Sequence, residues 1–525
     1  MPGLLAAGFV LCLIVLPLGA LIRHGAVQAV LQLSTYQWRV VRFSLWQATL
    51  STLLSVSLAI PVAVALARRP QFPGRAWLIR LFSVSLVIPT VVAVYGIIAI
   101  YGNQGWLSRL VHSSGYDWPF NLYGLGGILL AHTFLNLPMS ARLLLQALES
   151  LSAENWRLAG QLGINGWHSF RLLQWPLIRA ALPGIALLVF SLCFTSFAIV
   201  MTLGGGPAAT TIEVAIYQAL RFDFDTATAV RLALVQMLLC CLLILFSARY
   251  GRAPLTTVGN GRRVQRYDGN SGCARLSDTL LIGLALLFTL LPFLGIAAAG
   301  LSPALWPVLR DPALADAVLR TLTVALGAGC LSVLCACGLL LSATHLRERR
   351  GQHLSGRLLE LSGSLILVVP PLVLATGLFL LLRRFADVFA LALLLTVLIN
   401  ALMGLPFAVR VLEGPFISSL RRHDRLCQSL GIGALQRWRL IEWPVLRRPL
   451  GLALAYTSTL AAGDLTAIAL FGSQDMRTLP LLLYQRMGSY RLDEAAVTAL
   501  LLLLLCLLLF WMLERLIGGP AEKAG

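Results

Sequence analysis

The sequence predicts an all-α, polytopic membrane protein with about 12 transmembrane helices in two parallel six-helix repeats. Three observations carry this. Of 525 residues, 58% are hydrophobic and 12% charged, and the mean hydropathy is +0.83. A soluble chain carries about 25% charged residues. Apolar runs of the length a bilayer needs, about 20 residues, recur along the chain. One polar phrase is also written twice, "RLAGQLGINGWHSFRLLQWP" at 157–176 and "RLCQSLGIGALQRWRLIEWP" at 425–444.

The runs fall near 3–22, 42–67, 78–101, 121–147, 181–203 and 228–248, then near 277–299, 317–344, 358–382, 385–412, 448–471 and 495–517. The first lacks a positive start and a small-residue cleavage site, so it reads as a retained helix and not a signal peptide. Almost no loop precedes the run at 385–412. The interval 249–276 is rich in Gly, Asn and Arg and reads as a flexible linker. The expected organisation is a first half at 1–248, the linker at 249–276, a second half at 277–517 and a tail at 518–525.

The formal charge is +19, and Lys523 is the only lysine. Nucleic-acid binding wants such charge gathered on one folded face. Here arginines recur in alternate gaps between apolar runs: Arg68, Arg69 and Arg75; Arg157, Arg171 and Arg179; Arg262, Arg263 and Arg266; Arg347 and Arg349; Arg421, Arg425 and Arg439. The other gaps carry acids such as Glu213, Asp223, Asp311 and Asp493, against exceptions at Arg23, Arg39, Arg383 and Arg384. By the positive-inside rule the first set, with both termini, faces the cytoplasm.

Sliding 137–182 by 268 positions superimposes Pro138/Pro406, Arg142/Arg410, Arg157/Arg425, Gly163/Gly431, Arg171/Arg439, Trp175/Trp443 and Pro176/Pro444 without a gap. Fainter echoes pair Pro89 and Gly96 with Pro370 and Gly377, and Tyr217 with Tyr484. Both copies fall on the same side, so the repeats are parallel. Within the phrase, Ser152 is a fitting N-cap and Glu154 an acidic first-turn residue. Leu151, Leu158 and Leu162 share a helical face, and Gly163 stands where a helix end wants a left-handed residue. Asn165 then caps a second short helix, which Pro176 stops; Gly431 and Pro444 repeat the turn and the stop. A lone copy suits an interfacial helix facing anionic lipid. Two copies suit docking of a two-fold symmetric partner.

The two phrases resemble the "EAA" cytoplasmic loop of permease subunits of binding-protein-dependent ABC importers. The first matches at Ala159, Gly163, Leu173 and Pro176, the second at Gly431, Ile441 and Pro444. Arg157 and Arg425 stand where that family has glutamate, and Cys427 replaces an alanine, so the resemblance carries over the turn but no ion pair. The stretches "VRFSLWQATLS", "YGNQGWL", "GILLAHTFLNLPMSARLLLQALE", "TLGGGPAATTIEVAIYQAL" and "FGSQDMRTLPLLLYQRMGSYR" are similar to the thiamine permeases within that family.

The resemblance implies the type I ABC importer permease fold in a bacterial inner membrane. It implies coupling to two cytoplasmic ATPase subunits through Arg157, Leu158, Ala159, Leu162, Gly163 and Pro176, and through Arg425, Leu426, Leu430, Gly431, Ile441 and Pro444. ATP and Mg would sit on those partners, and one periplasmic substrate-binding protein would deliver thiamine or its phosphate esters. A ferric-ion permease and a secondary transporter of twelve spans are the alternatives.

Candidate pathway residues are Asp464, Ser196, Tyr217 and Tyr484. Asp464 lies within an apolar run, where a carboxylate costs about 2.5–3.5 kcal/mol. It faces a pathway or is a structural acid bonded near Thr466. Ser196 is its counterpart by repeat. The two tyrosines offer faces to a cation or belong to an interfacial belt. Arg221 and Arg486 nearby could hold phosphate. The seven histidines and ten cysteines show no metal spacing, and no catalytic centre or nucleotide-binding loop is expected.

Overall fold

The computed structural model describes residues 2–24, 33–85, 87–164, 166–250, 271–349, 352–383, 385–429, 436, 438–473 and 476–518. The principal helices begin with α1 Pro2–His24, α2 Thr35–Arg68, α3 Arg75–Val84, α4 Thr90–Tyr101, α5 Leu125–Glu149, α6 Ala153–Gln161, α7 Trp175–Phe194, α8 Phe197–Leu203, α9 Ile212–Arg221 and α10 Thr226–Tyr250. There follow α11 Gly272–Gly300, α12 Pro312–Arg349, α13 His353–Ser362, α14 Pro371–Leu382, α15 Ala392–Ser429, α16 Trp443–Gly463, α17 Thr466–Phe471, α18 Leu479–Gly488 and α19 Leu492–Gly518. No strand occurs among the described residues, and one continuous hydrophobic cluster draws on helices from Pro2 to Gly518. The protein is an all-α, multi-pass membrane protein.

Ten helices among the described residues are long and apolar enough to span, where run lengths led us to expect about twelve. The runs at 78–101 and 358–382 are the difference. Each breaks at a repeated proline: Pro89 precedes α4 with ψ 130°, and Pro370 precedes α14 with ψ 147°. Proline has no N–H to give the preceding turn and pushes the residue before it out of helical conformation. The run at 385–412 becomes α15, which starts only at Ala392 and continues to Ser429.

Two further runs also break. α7 yields to α8 at Thr195–Ser196, and α16 yields to α17 at Asp464–Leu465. After each break the chain re-enters through a short helix whose first N–H is held by a hydroxyl. Ile212 N donates to Ser44 Oγ at 2.9 Å, and Leu479 N donates to Thr321 Oγ1 at 2.8 Å.

The opening helices are exchanged. α1 packs on α12, α13 and α14, while α11 packs on α2, α4 and α5. The repeated glycines make this possible. A Cβ on Gly96 of α4 would lie 2.9 Å from the Pro292 carbonyl oxygen of α11. A Cβ on Gly377 of α14 would lie 2.6 Å from that of Pro17 in α1. At the arginine-rich end the exchanged helices are pinned. Gly3 N donates to Ser342 Oγ at 2.9 Å, and buried Asp278 accepts from Arg69 Nε at 3.0 Å with Arg68 Nη1 at 3.5 Å.

Candidate functional site

The first repeated phrase folds as a capped helix and a glycine turn at the arginine-rich end. Ser152 Oγ accepts from Asn155 N at 3.4 Å, and Glu154 lies in the first turn of α6. The helix closes with Gly163 N donating to Gly160 O at 3.2 Å and Ile164 N to Ala159 O at 2.9 Å. These paired bonds require a left-handed residue between them, and Gly163 has φ +64°. Trp156 and Ala159 face the protein, at 7% and 4% exposure, whereas Leu158 and Leu162 stand 55% and 66% exposed. Arg157 is exposed beside them. Trp167, 69% exposed, stacks on Phe170 at 5.4 Å, and Leu172 is exposed one turn on. Around one glycine the chain therefore presents a mainly apolar face that the described residues leave largely exposed. Asn165 lies outside the described residues.

Pro176 does not stop a helix, contrary to the sequence expectation. A wide turn, Phe170–Gln174, runs directly into α7, with Trp175 N donating to Phe170 O. Pro176 then occupies the first turn of α7. First-turn N–H groups have no partner within the helix, so proline is tolerated there. Pro444 does the same, after a wide turn at Trp438–Glu442 and at the start of α16. Both prolines are exposed, and Ile441 is half-buried. The second copy differs upstream. Leu420 stands where the first copy has its Ser152 cap, and α15 runs on without a break through Arg425 and Leu426. The side chains of those two residues, and all of Leu430 and Gly431, lie outside the described residues.

The second candidate site is a seam where the breaks of the two repeats meet. Gly463 lies against Pro89, so a Cβ there would meet the proline ring at 2.9 Å. α9 contacts α14 and α17, and α18 contacts α4, so each re-entrant helix touches the opposite repeat. Asp464 ends α16 and caps α17. Its Oδ1 accepts from Thr466 N at 3.0 Å, and its Oδ2 from Ala467 N at 3.2 Å and Asn400 Nδ2 at 3.3 Å. The carboxylate thus accepts three hydrogen bonds, one of them from Thr466. Ser196 stands before α8 without a capping bond, and its Oγ has no partner among the described residues.

Tyr217 is buried and edge-on to Phe197 at 5.3 Å, so it is a packed residue and not part of an interfacial belt. Tyr484 is half-buried. The arginines are engaged as well. Arg221 Nη2 donates to Gly472 O at 2.9 Å, and buried Arg486 binds Asp311 at 2.7 Å and Glu494 at 3.4 Å. The structure adds one carboxylate to the seam that charge alternation in the sequence places among the loop acids. Glu213, 1% exposed, lies on α9, which packs against the α17 that Asp464 caps. The signal was present in "TTIEVAIYQAL", where one carboxylate interrupts an apolar stretch.

The thiamine transport system permease protein ThiP of Escherichia coli (strain K12) is 50% identical to this chain over 486 residues, covering 92% of this chain and 90% of that protein. This chain belongs to the thiamine transport system permease family. The proteins of the same name from Salmonella typhimurium and Haemophilus influenzae agree. They are 48% and 39% identical over 490 and 478 residues, covering 93% and 90% of this chain and 90% and 88% of theirs. No family model matches. These relatives lend the ferric-ion alternative no support.

Proposed function

We propose that the chain is the translocation subunit of an ABC importer that moves thiamine, and its phosphate esters, into the cytoplasm. The similarity along nine-tenths of the chain to thiamine transport permeases supports the cargo. The observation that carries the coupling mechanism is the exposed face of Leu158, Leu162 and Trp167 beside the Gly163 turn. Two ATPase subunits dock there and at the second phrase around Gly431, so the arginine-rich end and both termini are cytoplasmic. The segments 1–248 and 277–517 act as two halves joined by the linker 249–276, and a periplasmic binding protein loads the opposite end. ATP and Mg reside on the ATPases, whose closure draws the docking turns together and parts the seam around Ser196, Tyr217, Asp464 and Tyr484.

The test is uptake of labelled thiamine by proteoliposomes holding the permease, the ATPases and the binding protein. Uptake that requires ATP and ignores ion gradients is expected. Gradient-driven uptake without ATP would instead establish the secondary-transporter alternative.

A further inference from the structure

Glu213 lies on α9 among helices of both repeats, with 1% of its surface exposed. Its Oε1 accepts from the Gln236 side-chain amide at 3.0 Å, and its Oε2 has no partner among the described residues. Gln236 is itself fully buried, and its own Oε1 is likewise unpartnered. This point of the seam therefore holds two buried oxygens without a hydrogen-bond partner among the described residues. Leaving such a group unpaired in a protein interior is unfavourable. α9 packs against α17, whose first N–H groups are capped by Asp464, so a second carboxylate from the opposite repeat stands at this seam. Its oxygens are held by backbone and amide N–H groups, which position the charge without neutralising it. Arg221, on the same helix as Glu213, is directed to the Gly472 carbonyl. Among the described residues no arginine forms an ion pair with either carboxylate.

We propose that Glu213, backed by Gln236 and Asp464, is a specificity-determining contact for an organic cation crossing the seam, favouring it over neutral molecules of the same shape. This rests on the thiamine reading, whose cargo joins a cationic thiazolium to an aminopyrimidine. The carboxylate is sealed here, so contact occurs only while α9 and α17 are parted. The site is not duplicated. In the register that pairs Tyr217 with Tyr484, Pro480 replaces Glu213, and Ser196 is the counterpart of Asp464. A single acidic pair suits a cargo without two-fold symmetry.

The complete complex in proteoliposomes tests this with two probes, thiamine and a neutral isostere whose thiazolium is replaced by thiophene. Glu213→Gln should lower the thiamine-to-isostere uptake ratio at least tenfold, and Glu213→Asp should restore much of it. A merely structural glutamate would depress both probes alike, and an unchanged ratio overturns the proposal. Should Glu213→Gln fail to assemble, Asp464→Asn decides. It keeps an acceptor for the α17 N–H groups and should shift the ratio in the same direction; no shift overturns the proposal. Absence of thiamine uptake by the wild type overturns the cargo reading and this inference together. Wild-type uptake with an unchanged ratio overturns this inference alone.

Discussion

Arg221 donates from Nη2 to the Gly472 carbonyl oxygen at 2.9 Å, so a side chain of one repeat is bound to the backbone of the other. Its guanidinium also lies 5.4 Å from the Phe389 ring. A charged donor of this kind contributes about 1.5–3 kcal/mol, and partial exposure places Arg221 at the lower end. Arg221→Met is therefore expected to shift the closed-to-parted balance of the seam about tenfold towards parted. Spin-label distances between α9 and α17 in the resting complex should lengthen. An unaltered distribution would show that the bond restrains nothing.

Gly163→Val should uncouple the transporter without unfolding it. A β-branched residue at φ +64° is strained by about 1–2 kcal/mol, and the strain falls on the turn that presents Leu158 and Leu162. ATP-driven uptake should fall at least tenfold while the melting temperature of the detergent-solubilised chain moves little. Gly163→Asn, which tolerates the left-handed region, should retain most of the activity. Equal loss in both variants would point away from backbone conformation.

Gly96→Val and Gly377→Val should destabilise the protein itself. Each side chain would be driven into the backbone of the exchanged helix, at Pro292 or Pro17. Overpacking of this kind costs about 1–3 kcal/mol. Thermal unfolding in detergent should show comparable losses for the two. A loss at only one site would mean that the two exchanged contacts are unequal.

The repeats differ in their buried polar contacts. In the first, Ser51 Oγ lies 2.8 Å from His132 Nδ1, Asn136 Nδ2 donates to His132 O at 2.9 Å, and Gln47 Nε2 donates to Cys193 O at 3.0 Å. In the second, Ala328, Ala401 and Ala461 form a small apolar cluster, and Asn400 Nδ2 donates to Thr396 O at 3.0 Å. Interhelical hydrogen bonds within membranes average about 0.6 kcal/mol. Ser51→Ala and His132→Leu should each cost about that much, with a double-mutant cycle showing that the two effects do not add. Strict additivity would dissolve the pair.

The helical class, the repeated prolines and the Gly163 turn were legible because each leaves a local mark: hydropathy, register, a glycine after a leucine face. Helix continuity was not. Pro89 and Pro370 were visible as a repeated pair, yet apolar composition ran straight across them and was read as one span. Pro176 was read as a stop because a wide turn before it, which lets the helix continue, has no residue signature. Glu213 looked like an outer-loop acid because alternation of charge locates gaps and not burial. The exchange of α1 and α11 had the least trace of all, since an apolar face shows that something covers it and not which helix does.

That exchange bears on how the protein is made. When the first 250 residues have been synthesised, α4 still lacks the helix that closes over Gly96, and α1 has nowhere to put the turn around Pro17. Neither half is a finished body, and each is completed by the other. Carrying both on one polypeptide fixes their ratio at one to one and delivers the second lender beside the first. A truncated product ending in the linker would keep its unfilled grooves in the lipid, a lasting mark by which membrane quality control could recognise it.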